Sequence, residues 1–259
     1  MNFGICCLSV IPVRADASHK SEMVSQLLFG ETFSIQISAN GWAKIVIDHD
    51  SYEGWVDEKQ YISITSEEHT RILSRPRYYS TDLINDISQK SEAPILILPG
   101  SILYNSSASI FSLAGINFSF NGQSIKANNP PSIDNMLLNA FHFLNSPYLW
   151  GGRTPFGIDC SGFVQIVARL SGLSLPRDTG QQVEKGEIIN LITEAKPGDI
   201  AFFDNEEGQI IHVGILLDKS QIIHASGKVR IDTIDHQGIF NNDLKKYSHQ
   251  LRVIKRIIQ

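Results

Sequence analysis

Tyr148-Leu149-Trp150-Gly151-Gly152-Arg153-Thr154-Pro155-Phe156-Gly157-Ile158-Asp159-Cys160-Ser161-Gly162-Phe163 decides how this sequence folds. Its glycines make a loop in which backbone can approach a ligand closely. Asp159 then caps a helix whose buried stripe is Phe163, Val164, Val167 and Leu170, with Gly172 as its stop. Cys160 therefore stands at a helix N-terminus, where partial positive charge and orphan N–H groups lower a thiol pKa from about 8.5 and can cradle an oxyanion. Taken alone, such a cysteine reads more simply as a buried structural residue.

Two histidines shift that balance. His212 interrupts Ile210-Ile211-His212-Val213-Gly214-Ile215, and His224 interrupts Ile222-Ile223-His224-Ala225-Ser226. A lone histidine in a strand is ordinarily a satisfied core residue. Two of them on neighbouring strands, with one thiol elsewhere, fit a nucleophile, a base and a group that orients the base. His212 would take the thiol proton and later protonate the leaving amine, while His224 would fix its ring and tautomer. A zinc ion held by one cysteine and two histidines is the rival, but the close pairing of structural zinc ligands is missing. Opposed residues of paired strands share a face, so both rings reach Cys160 only if His224 pairs with an even-numbered residue near His212. An odd-length turn or a bulge is therefore expected between Leu216 and Ile222. His19, His49, His69, His142, His236 and His249 sit in polar or ordinary helical surroundings, where solvated or structural roles suffice.

Outward from this segment, Ser132 reads as the N-cap of an earlier helix with Ile133, Met136, Leu137, Ala140, Phe141 and Leu144 on its apolar face, ended by Pro147. Strand-like runs follow at residues 199–203, 210–217, 221–225 and 251–257, and helices followed by an antiparallel meander give an α+β class. Residues 126–132 are rich in breakers and mark a boundary. Before it, residues 4–12, 33–37, 42–47 and 52–56 read as short strands of a small barrel, and residues 94–101 mirror 27–32, which suggests a second, degenerate barrel. The expected organisation is residues 1–64, 65–129 and 130–259.

With 42% hydrophobic and 19% charged residues the chain has material for real cores and no disorder-type bias. Lys and Arg total 22 against 27 Asp and Glu, giving a formal net charge of -5 and no broad basic field, so nucleic acid is not an expected partner. Cys6, Cys7 and Cys160 cannot build a disulfide framework, which fits a reducing compartment. The longest apolar run is shorter than the roughly 18 residues of a membrane span and has no Lys or Arg before it, so the expected location is cytoplasmic.

In order, Y-x-W-G-G, D-C-S-G-F, L-P-R-D-T at residues 175–179, P-G-D at 197–199, H-V-G and H-A-S resemble the NlpC/P60 superfamily over residues 133–257. The order G-W, strand, turn, Y-E-G-W-V resembles a bacterial SH3-like module. The resemblance implies a papain-like cysteine peptidase domain behind one or two small SH3-like barrels, cutting the γ-D-glutamyl bond to a diamino acid in peptidoglycan peptides. It makes Cys160, His212 and His224 the catalytic triad, with Tyr148 assisting an oxyanion hole at the Cys160 N–H. In members that demand a free N-terminal L-Ala, it places Asp159, Tyr52 and Glu22 at the substrate amine. Ser161 and Thr179 would meet the D-Glu carboxylate, Thr179 standing where the family pattern has Ser. Asp159 equally reads as a plain helix cap, Ser161 as a first-turn bond, Tyr148 and Trp150 as core aromatics, and Tyr52 as packing on Trp55. No metal or organic cofactor is implied. The expected partner is a small murein peptide such as L-Ala-γ-D-Glu-diaminopimelate, met in recycling; a hydrolase of intact wall and a non-catalytic wall-peptide-binding protein are the alternatives, and oligomeric state is open.

Overall fold

Period-two alternation in the first quarter of the chain builds seven antiparallel strands. They are β1 (Asn2–Ile5), β2 (Val10–Arg14), β3 (Met23–Leu28), β4 (Thr32–Ala39), β5 (Trp42–Ile47), β6 (Glu53–Asp57) and β7 (Ile62–Ile64), in one sheet of order β3-β2-β6-β5-β4-β1-β7. The computed structural model describes residues 2–89, 92–104 and 110–258, which form two compact units, Met1–Asn129 and Pro130–Gln259. Ile11, Val13, Phe33, Ile45, Ile47 and Val56 point inward from the first sheet. The strand expected over residues 4–12 is broken in two, because the Cys6 N–H leaves the ladder to bond Glu31 O at 3.0 Å and its thiol donates to Leu8 O at 3.2 Å.

A helix not read from the sequence follows, α1 (Ser66–Leu73), whose Thr65 cap accepts from the Glu68 N–H. Then come β8 (Arg77–Ser80), β9 (Asn85–Gln89), β10 (Ile95–Ile97), β11 (Ile102–Tyr104), β12 (Ile110–Leu113), β13 (Ile116–Phe120) and β14 (Ser124–Lys126), in sheets β10-β9-β13-β12 and β11-β8-β14. The mirrored segments form one turn twice. Gly30 and Gly100 have φ of 82° and 85°; Glu31 N–H bonds Leu28 O as Ser101 N–H bonds Leu98 O, each at 3.1 Å; Gly30 N–H reaches Cys6 O at 2.8 Å as Gly100 N–H reaches Ser80 O at 2.9 Å. The two halves share a core in which Ile5, Phe29 and Ile64 pack with Ile87, Leu103 and Phe118.

The second unit opens with α2 (Ile133–His142), capped by Ser132. Its buried stripe is Met136, Asn139, Ala140 and Phe143, while Phe141 is 42% exposed. The expected face was displaced because a polar residue, Asn139, lies on the inner side and donates to Ser171 Oγ at 3.4 Å. A short hairpin of β15 (Arg153–Thr154) and β16 (Gly157–Ile158) leads into α3 (Cys160–Leu170), which is buried along its whole length. α3 ends as its glycine demands: Gly172 has φ of 84°, its N–H bonds Arg169 O, and Leu173 N–H bonds Ala168 O. Next are α4 (Thr179–Gln182), β17 (Glu187–Ile189), β18 (Ile200–Asp204), β19 (Ile210–Leu216), β20 (Gln221–Ser226), β21 (Lys228–Ile234), β22 (Gly238–Asn241) and β23 (Lys246–Arg256). The sheet runs β17-β23-β18-β19-β20-β21-β22, and β22 also pairs with β23, so β18 to β23 close into a ring. The chain is α+β.

Leu216, Ile215 and Gly214 pair with Ile222, Ile223 and His224, so the connection between β19 and β20 is odd-length and His224 opposes an even-numbered residue, as expected. His212 and His224 therefore share a face. Gly214 makes room for this, since a Cβ there would lie 2.8 Å from His224 Cβ and 2.7 Å from Ile222 Cδ1. Gly214→Ala should destabilise the protein by about 1–3 kcal/mol, the range for overpacking a tight site. Urea unfolding measures this, and a variant as stable as the parent would show that the site has slack.

Candidate active site

The start of α3 is fixed by one carboxylate. Asp159 Oδ1 accepts the Gly162 N–H at 2.7 Å and Oδ2 accepts the Gly151 N–H at 2.8 Å. Arg177 grips both oxygens, Nη2 to Oδ2 at 2.5 Å and Nη1 to Oδ1 at 3.1 Å. Ser161 Oγ donates to Asp159 Oδ1 at 3.2 Å and accepts from Arg177 Nη1 at 2.7 Å, and Gln182 donates to Ser161 O at 3.0 Å. Asp159, Ser161 and Arg177 are all buried. A carboxylate offers about four lone-pair sites, and here loop, helix and guanidinium occupy them. Asp159 and Ser161, expected at the substrate amine and carboxylate, also hold the nucleophile's loop. The sequence reading passed over Arg177, because a buried arginine looks like a surface one until its partner is known.

Cys160 Sγ sits where β19 and β20 part: their pairing stops at Gly214 and His224 although both strands continue. The Val213 N–H, released from the ladder, bonds the sulfur together with the Ser161 N–H. Burial pushes the thiol up to about 12, the charge of Asp159 adds to this, and the two amides and Arg177 oppose it. The lowered thiol expected from the helix N-terminus is thus overturned at rest, since desolvation outweighs the helix end. Tyr148 is half-buried and pinned by its N–H to Gly227 O at 3.0 Å. Its phenol is pushed up to about 12, first by burial and then by the charges of Cys160 and Asp159, and so remains a donor beside the sulfur.

The base is set by a chain of bonds. His212 Nε2 lies 2.8 Å from His224 Nδ1, and His224 Nε2 lies 3.1 Å from Asp232 Oδ2. Burial works to raise Asp232, but hydrogen bonds and charge from His224 and Arg230 prevail and hold it low, so it is ionised and can only accept. His224 then donates from Nε2, and in its neutral tautomer accepts at Nδ1. His212 must donate from Nε2 into that acceptor, and its Nδ1 lone pair is left as the base. Burial, followed by the charges of His249 and His224, holds His212 well below the usual imidazole range and keeps it neutral. Arg230 anchors the far end, with Nη2 at 2.8 Å from both Asp232 Oδ1 and Asp243 Oδ2. The sequence reading missed Asp232. Strand alternation could have found it, since Asp232 opposes Ile222 and thus shares the face of His224.

His249, expected in an ordinary role, is instead stacked on His212 with ring centroids 4.0 Å apart at 21°. Nitrogens of His212, His224 and His249 lie within 4.8 Å of one another. A metal there would have to break the His212–His224 bond, and two nearly parallel rings direct their in-plane lone pairs side by side rather than at one point. Thr179 opens α4 and donates to Ile210 O at 3.1 Å, tying down the start of the base's strand. Tyr52 and Glu22 belong to the first unit, where Tyr52 packs against the first sheet's core and takes Asp50 Oδ1 at its N–H, 3.1 Å away.

Asp232→Asn can donate to His224 and reverse both tautomers, so kcat should fall by about a hundredfold or more; a loss under threefold would remove Asp232 from the relay. Alkylation of Cys160 by iodoacetamide should climb about tenfold per pH unit from pH 7 to 9, because the thiol titrates far above this range. A plateau beginning below pH 7 would instead indicate a preformed thiolate.

Residues 145–247 match the NlpC/P60 family, and residues 13–60 match the bacterial dipeptidyl-peptidase Sh3 domain. The gamma-D-glutamyl-L-lysine dipeptidyl-peptidase of Bacillus subtilis is 29% identical over 216 residues, 78% of this chain and 71% of that protein. Its namesake from Bacillus cereus is 24% identical over 239 residues, 80% and 68% of the two chains. The probable endopeptidase p60 of Listeria welshimeri is 41% identical over 40% of this chain and 20% of its own length. A crystal structure of an NlpC/P60 family protein from Bacillus cereus superimposes with a TM-score of 0.84 at 17% identity, covering 99% of this chain and 100% of that one.

Proposed function

From a chain that carries an NlpC/P60 domain behind a bacterial SH3 domain, we propose a cysteine peptidase that cuts the γ-D-glutamyl bond to an L-diamino acid in small murein peptides with a free N-terminal L-Ala. The observation that carries this reading is the Asp232–His224–His212 relay, which leaves a neutral imidazole nitrogen as base on the strand whose next amide, Val213 N–H, holds the Cys160 sulfur. Sγ attacks the γ-carbonyl of D-Glu as its proton passes to His212 Nδ1. The oxyanion is met by the Cys160 N–H, which as the first helical amide has no acceptor within the helix, and by the Tyr148 hydroxyl. The C–N bond breaks as His212 returns the proton to the leaving amine, and water, deprotonated by the same nitrogen, releases the acyl group.

Likeness along 78% of the chain to a dipeptidyl-peptidase, against 40% to a p60 endopeptidase, supports released peptides over intact wall. The free amine is assigned to Asp159, which also pairs with Arg177, and to Tyr52 and Glu22. Purified protein should release the diamino acid from L-Ala-γ-D-Glu-L-diamino acid and cut the N-acetylated form at least about a hundredfold more slowly, the ratio that corresponds to ~3 kcal/mol. Cys160→Ala should abolish turnover, Cys160→Ala with His212→Ala should be no worse, and Glu22→Gln should narrow the discrimination. Equal kcat/KM on both peptides, or faster release from intact wall, would contradict the assignment.

A further inference from the structure

Phe203 pairs with Leu251 on one side and with His212 on the other, so these three residues form one cross-strand row over β23, β18 and β19. His249, two positions before Leu251, lies on their face, and its ring covers that of His212. The base is therefore held twice: by its edge through the bond to His224, and by its face through this stack. On the other side His249 lines a cleft of about 460 Å3 with His236, Gln237, Tyr247, Ser248 and Gln250, and its Nδ1 lies 2.9 Å from Ser248 Oγ. The half-buried ring thus stands between the base and an open, polar space.

We propose that His249 is a positioning residue for the base, fixing the plane of the His212 ring and keeping the water of the cleft off its face. The assignment rests on His212 being the base of the proposed peptidase. One hydrogen bond at Nε2 leaves a ring free to rock about that bond, and a parallel neighbour removes the motion. Water against the ring face would also solvate an imidazolium and make His212 more basic before substrate arrives. The groups facing His249 are His212 on β19, His224 on β20, Asp232 on β21, Phe203 on β18 and Ile239 on β22, with His236 and Tyr247 at the cleft. Burial, then the charge of His224, bring His249 down to about 4 despite Asp232, so it stacks as a neutral ring at neutral pH.

His249→Ala removes the stack, and His249→Phe restores a flat ring without a proton site. On the peptide, His249→Ala should lower kcat by about tenfold with KM within about twofold, and His249→Phe should recover most of the loss. Without substrate, NMR titration of the His212 ring protons should show the wild-type ring neutral well below pH 6.5, with the midpoint moving up by about one unit in His249→Ala and little in His249→Phe. Unchanged kcat and midpoint in His249→Ala, or a His249→Phe as impaired as His249→Ala, would overturn the proposal. A wild-type protein that leaves the peptide uncut would sink the substrate assignment alone, and the titration would still decide the role of His249.

Discussion

The carboxylate of Asp232 beneath His224 is the constraint from which the chemistry of this protein follows. It is 2% exposed, held ionised by Arg230 and His224, and can only accept hydrogen bonds. With a neutral His224 above it, that carboxylate orders two imidazoles in series and leaves a lone pair at His212 Nδ1. The surrounding fold serves this geometry. An odd-length connection puts both rings on one face, Gly214 leaves space between them, and closure of β22 on β23 brings His249 over the base.

A second buried charge holds the nucleophile. Asp159 and Arg177 would each be expensive to bury alone, and together, with the Gly151 and Gly162 amides, they make a satisfied polar knot at the head of α3. Burial, and then the nearby charge of Asp159, raise the Cys160 thiol, and Arg177 limits that effect. At rest the Cys160 thiol and the His212 imidazole are thus both held neutral. Charge develops only when the sulfur attacks, at which point the Val213 and Ser161 amides are already in place to stabilise it.

Much of this was legible in the sequence because it depends on short-range rules. The caps Ser132 and Asp159, the stop at Gly172 and the parity of the β19–β20 connection follow from local geometry, while the ordered motifs around Cys160, His212 and His224 were read as a family resemblance. What the sequence hid depends on tertiary partners. Asn139 masked the inner face of α2, since burial of a polar residue is decided by a serine far along the chain. Nothing in the sequence singled out Arg177 or Asp232, because the bonds that engage them join distant segments. Desolvation of Cys160, which reverses the helix-end argument, is likewise a property of the packed protein.

The tautomer of His212 tests the central claim most directly. Nitrogen-15 NMR of imidazole-labelled protein near pH 7 should find His212 neutral, protonated at Nε2 and bare at Nδ1. An Nδ1-protonated His212, or an imidazolium there in the free protein, would contradict the account, because the relay would then end without a base.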